Sequence, residues 1–349
     1  MHNKMNQALT QSPLYFDPDN KDVNFPELMP IFHNRFLSFP PGSQFDRFPE
    51  IEGRMPGEVY PDRPSGFEIL EGSAVRITCY APGAKSVSAV EQEWPEPLIL
   101  RELGQGYWTG ELHKMRPGFH YQTYYADGNR ILNPLMPIGY SGFGPVNYIE
   151  VPEPGNDFFY LKEVPHGTIH MEQYFSNVLG EERLCYVYTP PSYREKTTQR
   201  YPVLYLLHGW GESETAWIWQ GRANYIADNF FREQNSDGVI IVMNNGYPSD
   251  SPGTPQDMQD DFSRMLIRDC IPFIDGKYRT VSGKQGRAVA GDAMMRYSLP
   301  VYEEYFGEIA WMNTQGDGAP QDMSDKADGL QEWDIRRKRL REFLAALCR

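Results

Sequence analysis

Histidine and cysteine are scarce in this chain. Seven histidines stand at positions 2, 33, 113, 120, 166, 170 and 208, and none follows position 208 in a sequence of 349 residues. Four cysteines, Cys79, Cys185, Cys270 and Cys348, lie far apart, without a CxxC pair or any short metal-ligand spacing. That excludes a finger-type metal centre and predicts free, mostly buried thiols; no metal and no cofactor is expected. No apolar run approaches the ~18 residues that span a bilayer, so no membrane partner is expected. The opening MHNKMNQALTQSPLYF lacks the apolar stretch of a secretory signal. As given, the chain reads as cytoplasmic, or as secreted if a leader has been trimmed. Basic residues are in the minority, 33 Lys and Arg against 47 Asp and Glu, for a net charge of −14. A nucleic-acid surface would have to be carved out against that field and is not expected.

What is present suffices for more than one folded domain: 40% hydrophobic and 14% aromatic residues over 349 positions. Residues 1–67, rich in Pro, Asp, Asn and Phe, hold no periodicity for long and read as an extended arm. From Gly72 the texture becomes alternating. Val75, Ile77 and Cys79 share one face of SAVRITCY, a turn follows at APGAKS, then VSAV, with Gly and Pro punctuation at close spacing thereafter. Residues 68–152 are therefore expected to form an all-β sandwich, with VPEPGND as its exit linker. Over 153–349 strands and helices alternate. PVLYLL (202–207) and VIIVM (239–243) are short, wholly apolar runs suited to the middle of a parallel sheet, and RAVAG (287–291) is a third strand. RANYIADNFFREQ reads as a helix. Phe262, Met265, Leu266, Cys270, Phe273 and Ile274 recur at helical spacing, as do Leu340, Phe343, Leu344 and Leu347. This is an α/β pattern.

Chemistry on such sheets sits in the loops after the strands. PVLYLL is followed by His208-Gly209-Trp210-Gly211, an HGxG turn of the kind that aims a backbone N–H at a developing oxyanion. RLCYVYTPPSY, KTTQRYPVLYLLHGWGESETAW, GRANYIADNF and VIIVMNNG follow one another in an order and spacing that resembles the feruloyl and acetylxylan esterases of carbohydrate esterase family one. The chain is also similar to the esterase-D and enterochelin-esterase enzymes. YAPGAKSV, Gly106-Tyr107-Trp108, RPGFHYQTYYADG and the NP after it resemble the immunoglobulin-like, glycogen-binding-type module that often precedes them. The resemblance runs from about residue 68 to the C-terminus. It implies a shortened α/β-hydrolase domain behind an immunoglobulin-like sandwich, an oxyanion hole at the backbone of Trp210 and Met294, and a plant-polysaccharide or hydroxycinnamoyl ligand.

The family's catalytic positions are altered. Its GxSxG elbow reads Gly291-Asp292-Ala293-Met294-Met295, so the nucleophile position holds Ala293, without a hydroxyl, and Met295 replaces a glycine. The family's Gly-His-x-Trp motif corresponds to Gly329-Leu330-Gln331-Glu332-Trp333, where Gln331 stands for the base and cannot take a proton near neutral pH. Only 38 residues separate Ala293 from Gln331, and none of Asp317, Asp322 and Asp325 can be assigned as the acid. His208 and Asp292 are weighed as substitute catalytic groups; the first is read as support for the loop, the second as a partner of Arg296 or Arg287. Ser298 reads as an ordinary helix serine, and the run Arg336-Arg337-Lys338-Arg339 as a solvated face. Trp210, Trp217, Trp219 and Tyr247 either line a ligand cleft with His208 and Asp292 or fill an interface between sheet and β domain. Three functions stay open: a pseudo-esterase, an ester hydrolase with a non-standard centre, and a carbohydrate-binding or interaction protein. The sequence leaves the oligomeric state open.

Overall fold

The computed structural model describes residues 65–70, 74–91, 94–113, 115–141, 144–153, 155–247, 255–292, 295, 298–312 and 332–348. The arm up to residue 64 and the positions Ala293, Met294 and Gln331 lie outside the described residues. The chain divides into two units, Met1–Tyr140 with Gly144–Asp157, and Ser141–Phe143 with Phe158–Arg349.

The first unit is all β. Its strands are β1 (Phe67–Ile69), β2 (Val75–Tyr80), β3 (Val87–Val90), β4 (Leu98–Gly104), β5 (Tyr107–Leu112), β6 (Gly118–Ala126), β7 (Asn129–Ile131), β8 (Ile138–Ser141) and β9 (Gly144–Val151). They run in the order β1-β2-β5-β4-β3-β6-β9-β8, with β7 on β6. Alternation decides the burial: Val75, Ile77 and Cys79 point inward with Val87, Ala89, Leu100, Trp108, Tyr124, Ile149 and Val151. One core shared by strands from both ends of that order means that the sheet curls. Trp108 donates its indole N–H to Ala81 O at 3.2 Å, which satisfies its only polar atom inside that core.

The second unit is a mixed sheet covered by helices. Its strands are β10 (Thr168–Ser176), β11 (Glu181–Thr189), β12 (Val203–Leu206), β13 (Ile240–Asn244), β14 (Arg287–Gly291) and β15 (Glu308–Trp311). The order is β10-β11-β13-β12-β14-β15. β10, β11 and β13 pair antiparallel, whereas β13, β12, β14 and β15 are parallel. The apolar runs read from the sequence are β12 and β13, both buried throughout, as strands covered on two faces must be. The helices are α1 (Ser192–Glu195), α2 (Ala216–Trp219), α3 (Ala223–Gln234), α4 (Pro255–Met265), α5 (Ile271–Lys277), α6 (Leu299–Tyr305) and α7 (Glu332–Leu347). A π-helical turn, Leu266–Cys270, joins α4 to α5.

Helix α7 corrects one expectation. Arg336 and Arg337 are 1% and 0% exposed, so the basic run is not a solvated face. Trp333, Arg336, Arg337, Leu340, Phe343 and Leu344 are all buried, and their spacing of three and four residues puts them on one stripe. Both guanidiniums find partners there. Arg337 donates to Gln220 O and lies 4.3 Å from the Phe159 ring centroid, while Arg336 reaches the ends of the strands.

Candidate functional site

β13 and β14 flank β12 on opposite sides, so successive crossovers leave β12 in opposite directions and open a crevice at its carboxyl end. Three loops converge there: residues 207–212 after β12, 245–247 after β13, and Gly291-Asp292 after β14.

His208 is buried and held at both ring nitrogens. Nε2 accepts the Gly246 N–H at 2.8 Å, so the proton is on Nδ1, which donates to Gly209 O at 2.8 Å. Burial drives its pKa down to about 4. A ring whose one lone pair already accepts a backbone N–H cannot serve as a general base without breaking that bond. His208 ties the loop after β12 to the loop after β13 through these two bonds.

The loop itself is wired from behind. Gly209 N–H donates to Glu212 Oε2 at 2.9 Å, and Gly211 N–H donates to the Tyr247 hydroxyl. Burial raises Tyr247 to about 12, so the hydroxyl stays protonated. The Tyr247 main chain is fixed in turn, its N–H on Asn245 Oδ1 at 2.9 Å and its O on Arg183 Nη1 at 3.0 Å.

Arg336 closes the back of the crevice. Its Nη1 donates to both oxygens of Glu212, at 2.9 and 3.0 Å, and its Nη2 to Asp292 Oδ2. All three side chains are buried. Among the described residues Asp292 pairs with Arg336 and not with Arg287, which donates to Asp275 at 2.5 Å; Arg296 lies outside the described residues. A charge brought in by α7 and buried beside two carboxylates satisfies them better than an arginine already committed elsewhere. This pair also explains Gly209: a Cβ there would collide with Arg336 Nη2 and Asp292 Oδ2.

At the elbow, Met295 is 1% exposed and turns back into the core; a Cβ on Gly291 would lie 2.8 Å from its sulfur. Between the strand ends, Leu207, His208, Gly246, Tyr247, Gln259, Phe262, Asp292 and Met295 enclose about 20 Å³. That is room for about one water molecule. Ser298 is buried, donating to Gln259 O at 3.2 Å next to Ser263 and Tyr302.

Among the aromatic candidates the structure separates two groups. Trp210 is 44% exposed and stands edge-on to Tyr247 at 5.9 Å between ring centroids, with Tyr247 itself 5.3 Å from the His208 ring. Trp217 belongs to the core instead: 1% exposed, its indole N–H on Leu207 O at 2.9 Å, its ring edge-on to Trp333 at 5.2 Å. Trp219 is half-buried in the same short helix. Sequence reasoning missed Glu212, Gln259 and Arg336. Glu212 and Arg336 carry a signal in principle, an acid directly after HGWG and a cation on the apolar stripe of the last helix. Of the other described histidines, three are engaged apart from these loops, His120 on Arg116 O, His166 on Asp228 and His170 beside Thr189, and His113 is exposed in the first unit. Among the described residues no cluster of His, Cys, Asp and Glu has the makings of a metal site, and no helix is long and apolar enough to cross a membrane.

Residues 176–295 match the model of the Esterase family, described as "Putative esterase". Over 298 residues the chain is 33% identical to an endo-1,4-beta-xylanase/feruloyl esterase of Xylanibacter ruminicola, with 82% of this chain and 39% of that protein aligned. It thus spans about two-fifths of the length of that curated relative. The enterobactin esterase of Shigella flexneri, solved in the presence of enterobactin, is 16% identical with a TM-score of 0.51, over 73% of this chain and 77% of that one, a likeness of fold alone. The CE1 ferulic acid esterase of Anaeromyces mucronatus in complex with ferulic acid is 24% identical with a TM-score of 0.41, over 45% and 62%. Within 176–295 the chain carries an esterase-family domain, and the elbow and both strand-end loops described above fall inside it.

Proposed function

We propose that residues 153–349 form a shortened α/β-hydrolase domain of the feruloyl and acetylxylan esterase type that no longer performs Ser-His-acid chemistry, behind an immunoglobulin-like sandwich over 68–152. The observation that carries this reading is the absence of a nucleophile with its base: Ala293 offers no hydroxyl, and the histidine among the strand-end loops, His208, spends its lone pair on Gly246. The water-sized space behind the loop and the turned-in side chain of Met295 support it. Activation of a weak nucleophile needs a base within hydrogen-bond reach, so supplying the hydroxyl alone does not restore the reaction. Trp210, with Tyr247 behind it, is the ring such a site would offer to a hydroxycinnamoyl group or a sugar of a plant polysaccharide, the ligand class we assign to it.

The test is Ala293→Ser, assayed on methyl ferulate and a short-chain aryl acetate. The expected result is turnover no higher than that of the parent chain. A large gain from this one substitution would mean that a base is present and would overturn the proposal.

A further inference from the structure

A second set of reactive groups is buried where β11, β13 and the π-helical turn meet. Cys185 and Asn244 are direct antiparallel partners, which sets their side chains on one face with Cα atoms about 4.5–5.5 Å apart. Asn244 Nδ2 donates to Cys270 Sγ at 3.1 Å, so the amide that flanks Cys185 also touches Cys270. Cys185 and Cys270 thus flank the same side-chain amide within one buried cluster. The Tyr174 hydroxyl completes the cluster, 3.0 Å from Asn244 Oδ1 and 2.8 Å from Met265 Sδ. Cys185, Cys270 and Met265 are each 0% exposed, and both cysteines are free thiols. Cys270 is the last residue of the π-helical turn, an irregularity that recurs at functional sites because it re-aims the side chains of a helix.

The environment treats the two sulfurs differently. The hydrogen bond to Cys270, with burial, holds the Cys185 proton in place and raises that thiol. Burial also works against a Cys270 thiolate, but the donors from Cys185, Asn244 and Tyr174 outweigh it and bring Cys270 below the ordinary thiol value. One sulfur that gives up its proton beside one that keeps it is the asymmetry that thiol oxidation uses.

We propose that Cys185 and Cys270 form a redox pair that closes to an intramolecular disulfide with a hydroperoxide as oxidant. The Cys270 thiolate attacks the peroxide O–O bond; its sulfur takes one oxygen as sulfenic acid, and the other oxygen leaves as water after protonation. The Cys185 sulfur then attacks the Cys270 sulfur, the S–S bond forms, and the sulfenic oxygen leaves as a second water with the Cys185 proton. Two thiols and one hydrogen peroxide become one disulfide and two waters. The bond ties β11 to the π-helical turn, and through it to α4, whose Gln259 and Phe262 line the small space beside His208.

The experiment uses the full chain carrying Cys348→Ser, which removes the half-buried thiol and with it linkage between chains through that residue. The folded protein is exposed to hydrogen peroxide, quenched with catalase, unfolded in guanidinium with N-ethylmaleimide, and digested without reductant for mass spectrometry. The expected result is two fewer alkylated thiols per chain and a linked pair of peptides containing Cys185 and Cys270, both reversed by dithiothreitol. In Cys185→Ala, Cys270 stops at a sulfenic acid that dimedone labels. Full alkylation of both thiols after peroxide overturns the proposal, as does Cys270 sulfinic acid without the linked pair. The linked-peptide measurement decides even if Cys185→Ala fails to fold.

Discussion

A guanidinium taken out of water between two carboxylates is held by its geometry; remove it, and Glu212 and Asp292 lose their shared cation in a buried site. Breaking such a buried set from one side costs about 3–5 kcal/mol. Arg336→Ala is therefore expected to lower the stability measured by denaturant unfolding by that amount. Arg339→Ala, which loses a 3.1 Å surface pair with Glu342, shifts it by less than about 1 kcal/mol. Equal losses for the two would contradict this account of α7. His208 supplies a pH signature. Its pKa is about 4 in the fold against about 6.5 unfolded, so between those values the unfolded chain binds the extra proton. Stability then falls as pH drops from about 6.5 to 4, by roughly 3 kcal/mol in all, and this contribution is flat below that window. His208→Gln keeps an acceptor for the Gly246 N–H and flattens that part of the slope; identical slopes in parent and variant would count against the assignment. At this scale the sequence was partly legible. The position of His208 in an HGxG turn after an apolar strand was visible in the sequence, and its supporting role was what the family resemblance implied. The partner of Asp292 could not, because Arg336 stands 44 residues further on, and a four-residue basic run ordinarily marks a wet helix face.

At the scale of elements, the order of strands and helices was the most legible part of the sequence. β12 and β13 were visible as apolar runs because strands covered on both faces need no alternation, and the segment from Phe262 to Ile274 and α7 because their apolar residues recur at helical spacing. The π-helical turn at Leu266–Cys270 was hidden, since a single wider turn leaves the apolar spacing on either side intact. The basic run on α7 was misread for a related reason: charge outweighed period, although Trp333, Arg336, Leu340, Phe343 and Leu344 already form one stripe. After β14, packing fixes the side chain of Met295. Met295 is part of the main core of the second unit, and cutting it back leaves a void rather than a working turn. Met295→Ala is expected to cost about 2–4 kcal/mol in thermal or denaturant unfolding and to leave hydrolysis unchanged. A neutral or stabilising change would mean that the position still carries the strain of a tight elbow.

On the scale of the whole molecule, the texture of the sequence changes near Gly72 and again beyond Phe158, and the chain divides into two units at Asp157 and Phe158. The esterase resemblance was legible because the motifs around β12 and β13 stand in order, and residues 176–295 match the Esterase family model. Function was harder to read, because in a hydrolase it turns on one hydroxyl, one imidazole and the space between them, which the framework of strands and helices does not dictate. The central claim is that this chain keeps an esterase framework without its chemistry. Its most direct test is hydrolysis of methyl ferulate and a short-chain aryl acetate by the parent chain at high protein concentration, against a heat-denatured control. The account predicts rates equal to the control; turnover that saturates with substrate and disappears on heating would contradict it.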